Sequence, residues 1–225
     1  MNTSMTVEQR KLLDLHLQLI LEVNKTTNLT RITDWDQGQL LHVEDSLFGL
    51  PALLKAPEGR YADLGTGGGF PGIPLAIMSG RQTLLVDSVK KKITALESVI
   101  HQLGLQDQIS TYAGRIEDLS LQQPESLSVI TARALSSLPS LLELASPLLQ
   151  YGGHLICYKS NPDQDELDTA KNISHKLGME YSYHYEGYLS DNTTHRMIIV
   201  YTKVSEPEVA LPRRVGMAQK KPFKS

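Results

Sequence analysis

Tyr61-Ala62-Asp63-Leu64-Gly65-Thr66-Gly67-Gly68-Gly69-Phe70-Pro71-Gly72-Ile73-Pro74 carries an acid out of a short apolar run, through a cluster of glycines, into two prolines. Glycine costs entropy inside regular structure, so five glycines within eight residues imply a main chain that something approaches closely. Pro71 and Pro74 suit the first turn of a helix, where the missing N–H is no loss. The stretch is expected to be a buried strand, a glycine loop and a helix start. Eighteen residues past Gly69, Asp87 closes a second apolar run, Leu84-Leu85-Val86. In a nucleotide-binding α/β unit, an acid ending the second strand reaches ribose hydroxyls. Together these features point to an adenosine-containing cofactor. Tight packing of a helix on a strand would account for one or two glycines, not for five with Asp87.

Three cofactor classes use such turns. A P-loop needs Gly-Lys-Ser/Thr to close it, and here Ile73 and Pro74 follow Gly72. A dinucleotide fingerprint matches formally as Gly67-x-Gly69-x-x-Gly72. Its first glycine should directly follow the strand, however, and Asp63 would sit badly beside a pyrophosphate. S-adenosylmethionine has no phosphate, and its cationic aminoacyl end suits a nearby carboxylate. Asp63-x-Gly65-x-Gly67-x-Gly69 favours this methyl donor, with a nicotinamide cofactor as the alternative.

The chain has 225 residues, enough for one large domain or a domain with a modest extension. No apolar run approaches bilayer-spanning length, and Met1 to Lys11 hold no signal core, so no membrane association and a cytoplasmic location are expected. Cys157 is the only cysteine, which excludes an intrachain disulfide and a CxxC site. His16, His42, His101, His154, His175, His184 and His195 show no HxxxH or HExxH spacing, so no metal is expected. The net charge of −3 hides a basic terminus: Arg213, Arg214, Lys220, Lys221 and Lys224 follow Leu211 with no acid among them. Such a tail is either a solvated terminus or a phosphate-contacting arm. Lys90-Lys91-Lys92 forms a second basic cluster.

Apolar spacing predicts a helix over Val7 to Val23, broken by Asn24-Lys25-Thr26-Thr27-Asn28, and a second over Asp36 to Phe48. From Arg60, strands and helices alternate. Strands are expected at 60–64, 83–87, 109–112, 127–131 and 154–158, with helices at 73–79, 89–103, 138–149 and 164–177. Two late alternating runs, 180–188 and 196–203, are expected to pair as a hairpin-like unit. The expected fold is α/β: a Rossmann-like, mostly parallel seven-stranded sheet with helices on both faces. The expected divisions are an N-terminal helical cap (1–58), the core (59–205) and the basic tail (206–225).

Ligands of open α/β sheets bind outside the carboxyl ends of the strands. That rule selects Gly65 to Phe70, Asp87 with Ser88, Gly114 to Asp118, Thr131 to Ala134, and Lys159 with Ser160. Ile116 is expected to form an apolar wall for adenine and Glu117 an acceptor near it, or else Glu117 is a solvated loop acid.

These residues resemble the small-subunit (16S) ribosomal RNA guanine-N7 methyltransferases, the glucose-inhibited division protein B family. The resemblance runs from about Leu17 onward. It rests on Asn28-Leu29-Thr30, His42-x-x-Asp45-Ser46, the glycine loop, Leu85-Val86-Asp87-Ser88 with Lys91, Arg115-x-Glu117 and Thr131-Ala132-Arg133-Ala134. It implies transfer of a methyl group from S-adenosylmethionine to N7 of one guanine in 16S rRNA, in the 530-loop decoding region, by a protein acting on that RNA or on the small ribosomal subunit. It implies that Gly65, Phe70, Ile116, Glu117 and Arg133 serve the cofactor, beside the Asp63, Gly67, Gly69 and Asp87 already assigned to it by their spacing, and that the N-terminal helices carry Asn28, His42 and Asp45 towards the site. Asn28, Arg213, Arg214, Lys220 and Lys221 are the candidate RNA contacts. The chain departs from the family at Val23, where relatives often have tryptophan, and at Lys159-Ser160, where they have Lys-Gly.

The chemistry agrees with a ring-nitrogen acceptor. Exocyclic amines are usually handled by an Asn/Asp-Pro-Pro-aromatic motif after the fourth strand, absent here, and carbon-5 methylation uses a cysteine nucleophile. Guanine N7 has an accessible lone pair and needs no base. Arg133 is then expected to hold the cofactor or orient the base through O6, or simply to neutralise Asp63 or Asp87. His42 and Asp45, three apart, are expected to pair and position the cap. Nothing in the sequence requires more than a monomer.

Overall fold

The computed structural model describes residues 5–224; the extreme ends of the expected cap and tail, 1–4 and 225, lie outside the described residues. Helix α1 (Val7–Thr27) starts on a reciprocal cap: Gln9 N–H donates to Thr6 Oγ1 at 3.1 Å and Thr6 N–H to Gln9 Oε1 at 3.0 Å. The break expected at Asn24 comes instead at Asn28, which adopts the left-handed conformation at φ 53°. Asn24 stays helical because its buried amide is committed elsewhere. Its Nδ2 donates to Thr30 O and its Oδ1 accepts from Thr30 N–H, both at 2.9 Å, pinning the chain that leaves the helix.

The second expected helix is three segments: α2 (Trp35–Gly38), a π-helical stretch (Gln39–Glu44) and α3 (Asp45–Phe48), with α4 (Leu50–Lys55) following. The core alternates as β1 (Tyr61–Leu64), α5 (Gly72–Ser79), β2 (Thr83–Asp87), α6 (Lys90–Gln102), β3 (Ile109–Ala113), α7 (Ile116–Gln122), β4 (Leu127–Arg133), α8 (Leu138–Ala145), β5 (Leu149–Lys159), α9 (Gln164–Ser174), β6 (Met179–Tyr188) and β7 (His195–Lys203). The sheet order is β3-β2-β1-β4-β5-β7-β6; β1 to β5 run parallel, β7 antiparallel to β5, and β6 antiparallel to β7. The mostly parallel seven-stranded sheet with its late hairpin is as the alternation implies.

Strand residues two apart share a face. Ala62, Leu64, Leu84, Val86, Ile130 and Ala132 pack with α7, α8 and α9. Leu85 faces the opposite way, into a cluster where α1 joins α5 and α6. Tyr61, Val129, Ile156 and Tyr158 pack on α4 and Leu75. The N-terminal helices therefore share an apolar core with the glycine-loop side of the sheet.

The tail also packs. A short helix, α10 (Met217–Lys220), buries Ala218, and Phe223 joins the cluster beneath α8. Neither α7 nor α10 was signalled by periodicity, because each is only one or two turns long.

Candidate active site

The topological switch of this sheet lies between β1 and β4, and two cavities open there at the carboxyl rim. One, about 230 Å³, is lined by Gly65, Asp87, Ser88, Gly114, Ile116, Glu117, Leu135 and Leu144. The other, about 430 Å³, is lined by Ile32, His42, Asp45, Arg133, Tyr158, Lys159 and Arg196. Ala134 lines both and takes φ 53°, a strained value for a residue with a Cβ.

In the smaller cavity, Asp87 ties the glycine loop to the next helix: Gly67 N–H donates to its Oδ2 at 3.1 Å and Val89 N–H to its Oδ1 at 2.8 Å. Each carboxylate oxygen keeps a lone pair for a further donor. Gly65, at φ 72°, lies so close to Leu135 that an added Cβ would stand 2.7 Å from its Cδ1. The apolar walls of Ile116, Leu135 and Leu144, with the Asp87 carboxylate at one end, fit an adenosine group in shape and chemistry.

Four residues expected to touch the cofactor, Asp63, Gly67, Gly69 and Phe70, do not line this cavity. Asp63 is wholly buried, accepting from Gly72 N–H at 3.0 Å and Thr131 Oγ1 at 2.7 Å, while Tyr61 Oη stands 2.6 Å from Thr131 Oγ1. Burial pushes its carboxyl up to about 6, against hydrogen bonds and Arg133, which pull it down. Its oxygens fix the start of α5 rather than face an open cavity. Phe70 is sandwiched between His42, stacked at 4.5 Å, and His16 at 4.3 Å, so its ring lines neither cavity. Gly69, at φ 84°, passes so close that a Cβ would stand 2.7 Å from Ile73 Cδ1. Ile116 and Glu117 open a helix, not a loop, and Glu117 is buried with its Oε1 accepting from Gly216 N–H at 2.6 Å. The solvated-acid alternative for Glu117 is thereby excluded.

The larger cavity corrects the expected His42–Asp45 pair. The π-helical turn breaks the three-residue register, and the two side chains go to different partners. His42 Nε2 meets Thr30 Oγ1 at 2.8 Å. Asp45 accepts from Arg133 Nη1 at 2.8 Å and from Arg196 Nε at 2.7 Å, with Arg196 Nη2 at 3.3 Å. Arg133 thus neutralises Asp45, not Asp63 or Asp87. Its Nη1 also donates to Leu41 O at 3.1 Å, and its Nε and Nη2 have no partner among the described residues. Arg196 was missed; it lies in an alternating strand, where nothing local separates it from a surface arginine. Lys159 is committed as well, donating to Ser136 O at 3.0 Å and Glu166 Oε1 at 2.6 Å.

Burial lowers His42 to about 4, helped by the Arg133 charge and opposed by Asp45, and lowers His16 to about 3, so both rings are neutral near pH 7. Cys157 is buried and its thiol is pushed up to about 12, which excludes a thiolate nucleophile. No group of acids, histidines and cysteines able to hold a metal occurs among the described residues. No helix there is long and apolar enough to cross a membrane.

Of the expected RNA contacts, Arg214, Lys220 and Lys221 are exposed. Asn28 is exposed too and lines neither cavity. Arg213 is a correction. It makes a fork-to-fork pair with the buried Glu143, at 2.7 and 2.6 Å, and lies over the Phe223 ring at 4.0 Å.

The family model described as rRNA small subunit methyltransferase G matches residues 9–188. The chain belongs to this family. Among relatives named Ribosomal RNA small subunit methyltransferase G, one from Desulfitobacterium hafniense is 37% identical over 99% of this chain and 93% of its own length. Another, from Carboxydothermus hydrogenoformans, is 35% identical over 98% of this chain and 94% of its own. An O-methyltransferase from Bacillus cereus, solved with SAH, shares the fold, with a TM-score of 0.57, 20% identity and coverage of 84% of this chain and 90% of that one. As a methyltransferase of the G family, the chain has its glycine loop and its Asp45 cluster on the same rim, meeting at Ala134.

Proposed function

We propose that this chain transfers a methyl group from S-adenosylmethionine to N7 of a guanine in small-subunit (16S) ribosomal RNA, acting as a monomer in the cytoplasm. The observation that carries this reading is the pair of cavities meeting at Ala134: one fits an adenosine, and the other offers fixed guanidinium donors, with Asp45 spent on arginines and His42 held by burial as a weak base at about 4. S-adenosylmethionine supplies an electrophilic methyl on a sulfonium, open to in-line displacement.

The chain's own residues do the aligning. Asp87 would hold the ribose hydroxyls, Gly65 would allow close approach of the main chain, and Ile116 would wall the adenine. Asp63, Gly67, Gly69 and Phe70 act at one remove, by holding the loop that carries Gly65 and Asp87's partner. In the larger cavity Asp45 and Leu41 O hold Arg133 by one nitrogen, leaving Nε and Nη2 for the acceptor atoms of the base. Guanine O6 suits such a donor. N7 carries no proton, so both oxygens of Asp45 can be spent on arginines and His42 can stay neutral without cost to the reaction. Asn28, Arg214, Lys220 and Lys221 are left as outer contacts to the RNA.

The test is incubation with labelled S-adenosylmethionine and small ribosomal subunits from cells lacking this protein, followed by borohydride–aniline cleavage, which cuts at N7-methylguanine. A single cut in 16S rRNA, lost in Asp87→Ala, is the expected outcome. Label without a cut would overturn the N7 assignment. No label on subunits or naked rRNA, despite tight cofactor binding, would indicate a small-molecule acceptor.

A further inference from the structure

One wall of the smaller cavity comes from the far end of the chain. Gln219, on α10, lines it together with Ile116, Leu135 and Leu144. The family match ends at residue 188, well before this segment. The segment is nevertheless clamped on both sides of Gln219. Arg213 pairs with Glu143, Gly216 N–H donates to Glu117, and Ser140 Oγ donates to Ala218 O at 2.7 Å. Phe223 then packs under Arg213. Two of these anchors, Glu117 and Glu143, are buried acids paired only with the tail or with Arg115.

The amide of Gln219 is oriented by chemistry. Arg115 Nη2 stands 3.4 Å from Gln219 Oε1, and a guanidinium has donors only, so the oxygen is the atom turned to it. The Nε2 group, with two donors, is left over. Glu117 was the expected adenine acceptor, but its Oε1 is taken by Gly216 and its Oε2 lies 3.7 Å from Arg115 Nε. Adenine presents ring nitrogens that accept, and a side-chain amide suits that edge.

Resting on the reading of this cavity as the adenosine site, we propose that Gln219 is a cofactor-binding residue whose Nε2 donates to a ring nitrogen of adenine. The C-terminal segment is then part of the cofactor site, with Arg213 as its clamp, and not solely an arm for RNA.

The experiment is calorimetric titration of the full chain with S-adenosylhomocysteine, comparing wild type with Gln219→Glu and Gln219→Leu. Gln219→Glu keeps an acceptor for Arg115 but has no donor. Gln219 is exposed, so neither variant should alter the melting temperature of the free protein. Both are expected to bind about fivefold more weakly, the size of one neutral hydrogen bond. Binding within twofold of wild type in both variants overturns the inference and leaves the cofactor reading intact. Weakening in Gln219→Leu alone also overturns it, because packing rather than donation would then matter. No binding by wild type overturns the cofactor reading itself.

Discussion

The two cavities at the rim are built on opposite principles. The smaller is organised by main chain: Asp87 accepts from two N–H groups within twenty residues of itself, and glycine conformations set the loop. The larger is organised by charge brought from afar. Asp45 leaves a π-helical turn near the N-terminus and meets Arg133 at the end of β4 and Arg196 on β7, 151 residues away. A site made of main chain tolerates most side-chain changes around it. A site made of three buried charges does not, because removing one leaves the others unpaired.

That difference predicts separable defects, and the largest should follow Asp45→Ala. It leaves two largely buried guanidiniums without their carboxylate, so unfolding free energy should fall by about 3–5 kcal/mol in a denaturant titration. Asp45→Asn, which keeps the shape, should fold better yet still release Arg133. In both, rRNA methylation should drop by about a hundredfold or more, as misplacement of an orienting group does. Binding of S-adenosylhomocysteine should stay within about threefold, since no bond of Asp45 reaches the smaller cavity. Parallel loss of cofactor binding would mean that the two cavities are one cooperative unit.

The same contrast decides what could be read from the sequence. Asp63, the glycines and Asp87 lie in order along one strand–loop–helix–strand unit, so spacing alone carries their chemistry. Even there, sequence placed Asp63 and Phe70 against the ligand, whereas one holds the start of α5 and the other is wedged between His16 and His42. A motif shows that a residue is required, not on which side of the loop it works. The acceptor cavity was half legible. His42, Asp45 and Arg133 were found through the family resemblance, but their partners were not, because the π-helical turn cancels the spacing argument and Arg196 has no local signal. The packing of the tail was illegible for another reason: its positive charge suggested RNA contacts, while its buried partners, Glu117 and Glu143, lie far away in sequence.

Phe70 and its flanking imidazoles join the two regions, and pH should act on that joint. Both histidines titrate below their ordinary 6.5, at about 3 and about 4, so the unfolded chain binds more protons in that window. Their contribution to stability is complete above pH 6.5 and is lost as pH falls towards those folded values. Asp63 works the other way. Raised from 3.8 to about 6, it favours the fold fully below 3.8 and loses that contribution as pH rises through 6. Two groups outweigh one, and these three together contribute a net loss of about 3 kcal/mol between about pH 7 and about pH 4.5, with His154, also lowered by burial, acting in the same direction. Urea midpoints measured across that range test it. His16→Gln, which keeps a donor for Gly68 O, should remove most of the loss. A variant with the same pH slope as wild type would show that His16 is not held neutral.

The smallest expected effect concerns RNA binding by the tail, and it asks how far the tail serves each region. Five free tail cations on single-stranded RNA would give a slope of about −3.5 in log K per decade of salt, at about −0.7 per contact. With Arg213 closed on Glu143, the ceiling falls to about −2.8, from Arg214, Lys220, Lys221 and Lys224. Substituting Lys220 and Lys221 together by alanine should reduce the measured slope by about 1.4, with cofactor affinity unchanged, because both side chains are exposed and neither lines a cavity. An unchanged slope would remove Lys220 and Lys221 from the RNA contacts. Lys90 and Lys91 would then be the next to test, exposed at the start of α6 just beyond Asp87. From there a phosphate backbone could be held beside the same rim without the tail at all.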